Sequence, residues 1–149
     1  MTVPLPTPPL WGLVFAISGG LLLWLVSLRR KDASIVDIFW GPGVAGVVDI
    51  AAIMAPAAGP RASTALLLVN IWAVRLAAHV YARHHGEGHR YAAMRRHFGA
   101  RWSWWSLVQV FLLQAILIWF IPAPLVAAML SGLPVLAGMD YAGIALAVA

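Results

Sequence analysis

Apolar residues run in blocks close to twenty long, and the breaks between blocks carry nearly all the charge. Leu10 to Leu28 has no charged side chain, and its 19 residues reach about 28 Å at helical rise, enough to cross a hydrocarbon core. Pro4, Pro6, Pro8 and Pro9 precede it and predict an extended entry. The block stops at Arg29-Arg30-Lys31. A second block, Ile35 to Ala58, contains Asp37 and Asp49 and is interrupted by Gly41-Pro42-Gly43. Proline removes a backbone donor and crowds the preceding turn, so the pattern predicts a break or kink there. Inside a membrane its freed carbonyls need protein or a cavity, which makes it a candidate pocket floor. Pro56 to Ser63 predicts a turn, and Thr64 to Ala82 a third span burying Asn70 and Arg75. Tyr91, Met94 and Phe98 share a helical face within a charged stretch and predict a short helix lying along the interface.

The fourth span runs from Trp104 to Ile121, carries Gln109 and Gln114, and ends at Pro122-Ala123-Pro124. Trp102, Trp104 and Trp105 predict an aromatic belt at its entrance, with Trp119 at its exit. Leu125 to Gly138, interrupted by Pro134, reads as a short surface or re-entrant helix, and Asp140 opens a fifth span that reaches only Ala149. The predicted fold is an all-α polytopic transmembrane bundle: four full spans, the start of a fifth, and a cytoplasmic interfacial helix. Residues 1–149 form one transmembrane domain, read as the N-terminal part of a longer one.

Composition supports this class. Hydrophobic residues make up 62% and charged residues 10%, with mean hydropathy +0.87. A water-soluble domain carries roughly 25% charged residues. There is no alternation of the kind a membrane barrel requires. The absence of cysteine excludes disulfides, thiolate metal sites and a cysteine nucleophile. A net charge of +5 does not point to nucleic acid, because the basic residues flank apolar spans. Arg29, Arg30, Lys31, Arg83, Arg90, Arg95, Arg96 and Arg101 fall on one side, and Arg61 alone on the other. By the positive-inside rule, loops 29–34 and 83–103 are cytoplasmic, the N-terminus is outside, and the membrane is the cell's inner one.

Charges within spans are costly, roughly 3 kcal/mol each on insertion scales, so each needs a partner or a purpose. Arg75 lies seven residues from the end of its helix, at about 10 Å depth, and its side chain can snorkel toward Asp37 near the surface. Asp49 and Asn70 fall at matching depths and predict a helix-to-helix contact. Trp72, Arg75 and His79 share a face that is expected to point inward. In the loop, His84, His85, Glu87 and His89 invite a metal, but Gly86 and Gly88 interrupt the helix that would align them, and none is assigned. Arg83, Arg90, Arg95 and Arg96 instead offer forked donors suited to phosphate, with Tyr91 beside them as an acid or hydrogen-bond donor. Topology and contact with anionic lipid would account for the same arginines.

DASIVDIFWGPG (32–43), NIWAVRLAAHVYAR (70–83), GEGHRYAAMRRHFG (86–99) and VFLLQAILIWFIPAPL (110–125) occur in order. Together they resemble a bacterial membrane family related to the steroid 5α-reductases. The resemblance implies a longer helical domain and NADPH-dependent reduction of an activated C=C bond, an enone, in a lipid or steroid-like substrate. It implies a cavity lined by Asp37, Trp40, Trp72 and Arg75 as catalytic candidates, and a nucleotide held by Arg83, Glu87, Arg90, Tyr91 and Arg95. The glutamate and tyrosine of the steroid enzymes have no direct counterparts here; the second span offers Asp37 and Trp40, and the third Trp72. The R-H-P-N-Y cofactor motif of that superfamily is absent from this chain. Two other readings stand beside it: an S-adenosylmethionine-dependent lipid methyltransferase on a related scaffold, and a non-catalytic membrane protein whose arginines only orient it.

Overall fold

The computed structural model describes residues 7–54, 59–130 and 135–148, and every regular element among them is helical. Among the described residues, four stretches are long and apolar enough to cross a membrane. They are α1 (Pro8–Arg30), α2 (Ile35–Met54), α3 (Pro60–Ala82) and a fourth within His89–Leu130. The fourth is composite. A surface helix α4 (His89–Phe98) turns through Gly99–Arg101 into α5 (Trp102–Ser106), a π-helical segment (Leu107–Leu112) and α6 (Leu113–Phe120). Two shorter helices follow, α7 (Ala123–Leu130) and α8 (Gly138–Val148). The all-α membrane bundle expected from the sequence is the fold observed.

Several boundaries differ from expectation for physical reasons. Pro8 and Pro9 are helical, because the first turn of a helix has no use for the donors that proline lacks. At the other end of α1, Lys31 adopts a left-handed conformation (φ 54°), and the amides of Lys31 and Asp32 both donate to the Ser27 carbonyl. More consequentially, α2 runs unbroken through Pro42. Pro42 faces outward, while Gly41 and Gly43 on either side are buried. A Cβ on Gly41 would stand 2.5 Å from the Ala73 carbonyl oxygen, so the glycine lets α2 and α3 touch backbone to backbone. The Gly-Pro-Gly stretch is therefore a helix-packing surface and not a pocket floor. The expected turn from Pro56, the Pro134 interruption, and Pro4 and Pro6 lie wholly or partly outside the described residues.

Lipid tails are as apolar as leucine, so spans associate through close packing and polar contacts rather than by escape from water. The most buried span is α2, packed between α1, α3 and α6. Around it Ala16, Val44, Val47, Val48, Val69, Ala115, Ile118 and Met129 form the mid-membrane core. Asn70 Nδ2 donates to Asp49 Oδ1 at 2.9 Å across the α2–α3 interface, the contact their matched depths predicted. A second cluster, Ala33, Val36, Tyr91, Trp102, Val110 and Phe111, lies where the basic segments converge, hereafter the basic end. Trp102 belongs to this cluster at 4% exposure, whereas Trp104 and Trp105 are exposed. The expected aromatic belt therefore contains two of its three members. Trp102 is drawn inside because the corner at Gly99 (φ 52°) folds α4 back over it, bringing the Arg95 guanidinium 5.4 Å from its ring.

Candidate functional site

Three sets of hydrogen bonds fasten the stretch 84–95 to the start of α2. The carboxylate of Asp32 accepts from the Ser34 amide (2.9 Å) and contacts His84 Nε2 (2.7 Å). Ser34 Oγ accepts from the Gly88 amide at 2.6 Å. Glu87 accepts from the Ala33 amide (3.1 Å) and from both Nε and Nη2 of Arg95 (2.9 and 2.6 Å). The Ala33 amide before α2 thus finds its acceptor in Glu87, more than fifty residues away, as a buried helix start requires, and the loop's Gly88 amide finds one in Ser34. Fastening the loop sets the position of α4, and α4 carries Tyr91.

Tyr91 is 3% exposed, and its phenol is the centre of a five-residue network. It donates to Asp37 Oδ1 (2.9 Å) and accepts from Arg90 Nη2 (2.6 Å) and Gln114 Nε2 (3.2 Å). Gln114 Oε1 accepts in turn from Trp40 Nε1 at 2.7 Å. The Arg90 guanidinium also lies over the Tyr91 ring, 4.6 Å from its centroid. Burial raises the phenol above its ordinary 10.0, opposed by the Gln114 hydrogen bond and reinforced by the neighbouring Asp37 charge. Asp37 sits in the first turn of α2, where the helix dipole favours a negative charge. Its carboxylate is 38% exposed and opens onto a cavity of about 320 Å³. His79, Arg83, His84 and His85 line that cavity together with Gly86 and Gly88. A buried phenol is therefore connected through one hydrogen bond to a carboxylate at the wall of a basic cavity, an arrangement able to hold and pass a proton.

The structure distributes the expected site residues among three places. Asp37, Trp40, Arg90 and Tyr91 join the hub, and Arg83 lines the cavity beside it. Glu87 and Arg95 satisfy each other on the far side of the loop. Trp72 and Arg75 lie elsewhere, on a lateral groove bounded by α3, α7 and α8. The anticipated Asp37–Arg75 pair does not form. At the Gly41–Ala73 contact that sets the α2–α3 register, Asp37 turns to α4 and Arg75 to the groove. For the same reason Trp72 and Arg75 do not point into the bundle. Gln114, the link between Trp40 and Tyr91, was noted from sequence only as one of two amides in the fourth span, with no partner assigned, although an amide in an apolar span is itself a signal.

A family model described as "Protein of unknown function (DUF1295)" matches residues 23–149. The chain belongs to the DUF1295 family. The matched stretch includes every residue of the tyrosine hub, the loop fastenings and the lateral groove, so all three lie within the DUF1295 domain. No curated protein and no solved structure matches the chain.

Proposed function

We propose that this DUF1295 protein is an integral membrane oxidoreductase that reduces the activated C=C bond of a lipid or steroid-like enone with NADPH, with the basic end facing the cytoplasm of an inner membrane. The Tyr91–Asp37 hydrogen bond carries this reading. Enone reduction needs a neutral acid that donates to the carbonyl as enolate charge develops, and a phenol kept protonated by burial has that property. In the resemblance noted above, the acid and the tyrosine come from the second and third helices; here α2 supplies Asp37 and α4 supplies the tyrosine. Asp37 accepts the phenol hydrogen bond in the resting arrangement and gives it up to the substrate carbonyl, while Arg90 and Gln114 stabilise negative charge on the oxygen. Trp40 fixes the Gln114 amide so that its NH₂ faces Tyr91.

The residues fit one end of the cofactor. A cavity of about 320 Å³ is at the lower limit of small-molecule sites, roughly 300–1,000 Å³, so it suits a phosphate-bearing portion and not a whole dinucleotide. Arg83 at its wall and Arg90 beside it offer forked donors for phosphate. Glu87 and Arg95, already paired, position the loop that carries them. When bound, NADPH would supply the hydride to the β-carbon. Mixed occupancy of this end of the bundle by basic side chains, eight against Arg61 at the other, favours the cytoplasmic orientation.

The test is quenching of tryptophan fluorescence and thermal stabilisation by NADPH in detergent, followed by turnover of a panel of enones. Tyr91→Phe should lower turnover by about 10²–10⁴-fold while leaving nucleotide binding within a few-fold. Failure of NADPH to bind at all would overturn the proposal. Stabilisation by S-adenosylmethionine in its place would identify a methyltransferase.

A further inference from the structure

The lateral groove encloses about 780 Å³ between α3, α7 and α8, within the range of ligand sites. Its walls are largely apolar, with Leu68, Trp72, Met129 and Ile144 among them, and it holds two arginines. Their situations differ. Arg61 is tied to Asp140 by two hydrogen bonds of 3.1 and 2.6 Å to one carboxylate oxygen. Arg75 has no carboxylate partner among the described residues, although it lies within a membrane span. An arginine at such depth is costly without an anion, and the fold supplies one for Arg61 and not for Arg75.

We infer that the groove binds one anionic membrane lipid, with its phosphate on Arg75 and an acyl chain running along α3 toward Arg61. The dimensions agree. Arg75 lies seven residues from the basic end of α3, about 10 Å, so its guanidinium reaches toward the headgroup level by snorkelling. Arg61 and Arg75 are fourteen residues apart on that helix, about 21 Å, which exceeds the roughly 15 Å that one leaflet's chains occupy. Trp72, one turn from Arg75, presents an indole at the junction of head and chain, where tryptophan is favoured. The Arg61–Asp140 pair closes the far end to a second head. This site is separate from the tyrosine hub and does not depend on the reductase reading.

The experiment is native mass spectrometry of the whole chain released from nanodiscs of phosphatidylcholine containing phosphatidylglycerol. One phosphatidylglycerol should remain per wild-type chain. Arg75→Gln should weaken its retention roughly tenfold or more, as loss of a forked charge-assisted contact implies, and Arg101→Gln, exposed at the corner after α4, should not. Gly143→Leu gives a second arm: a Cβ there meets nothing within 4 Å, so it fills the groove and should expel the lipid without lowering the melting temperature of the lipid-free protein. The inference is overturned if both variants retain the lipid as wild type does, if phosphatidylcholine is held equally, or if inorganic phosphate stabilises the protein as much as the lipid.

Discussion

Glu87 separates a structural role from a nucleotide-binding one. Its carboxylate takes three hydrogen bonds, two from Arg95 and one from the amide of Ala33, a residue with no exposed surface. Glu87→Ala leaves that amide unpaired in the interior, a cost of about 1–3 kcal/mol. It also frees the Arg95 guanidinium, whose 30% exposure lets water recover part of the lost pairing. After discounting the ion pair for that access, the total comes to about 2–4 kcal/mol. Glu87→Gln keeps a neutral acceptor for Ala33 and for one Arg95 donor, and should cost about half as much.

Reversible unfolding in mixed micelles measures both variants, and hydrogen exchange at Ala33 reports whether the loss is local. The Glu87→Ala, Arg95→Ala double-mutant cycle should return a coupling of about 1–3 kcal/mol. If Glu87→Ala stays within about 0.5 kcal/mol of wild type while nucleotide affinity falls, the fastening is not structural and the glutamate belongs to the cofactor.

Two further outcomes follow from the geometry. Gly41→Ala places a methyl 2.5 Å from a backbone oxygen that cannot rotate away, so it should destabilise by about 2–3 kcal/mol or block folding, whereas outward-facing Pro42→Ala should stay within about 0.5 kcal/mol, both read by micelle unfolding. The phenolate difference spectrum between wild type and Tyr91→Phe should titrate above pH 10.0. Because burial raises this group above its unfolded value, its contribution to stability is complete below pH 10.0 and declines as pH rises through the folded value; a difference spectrum titrating at or below 10.0 would refute the buried phenol.

The spans were legible because length and apolarity alone decide them, and Asp49–Asn70 was legible because depth along two helices is simple arithmetic. Pro42 misled because its effect depends on which side of the helix it faces. A proline turned outward leaves its glycine neighbours free to pack inward, and no single-residue rule contains that. Arg75 misled for a related reason: snorkelling reach established that it could approach Asp37 but not the direction in which α3 presents it. The hub itself was half legible. Tyr91, Arg90 and Asp37 were all singled out, yet their union depends on the Asp32, Ser34 and Glu87 contacts that fold the loop onto α2. Those are long-range hydrogen bonds of ordinary polar residues, and nothing in their local spacing announces them.

One part of the hub was written in the sequence in a form that helical periodicity hides. Along the fourth span the buried positions Trp102, Ser106 and Val110 advance by four, and the stripe then restarts one residue later with Phe111, Ala115, Ile118 and Pro122, advancing by four, three and four. That one-residue shift, between Val110 and Phe111, falls on the π-helical segment Leu107–Leu112. One added residue in a turn rotates everything after it by about 100° relative to a straight α-helix. That rotation keeps Phe111, Ala115 and Ile118 on the core side after Trp102 and Ser106 have already claimed it. It also brings Gln114, next to Ala115, within reach of both Trp40 on α2 and Tyr91 on α4. An α-helical template fitted to either half alone would send the other half's stripe toward lipid. The π turn thus reconciles two packing surfaces, the aromatic cluster at the basic end and the aliphatic core at mid-membrane, and the amide that joins Trp40 to Tyr91 stands just beyond it.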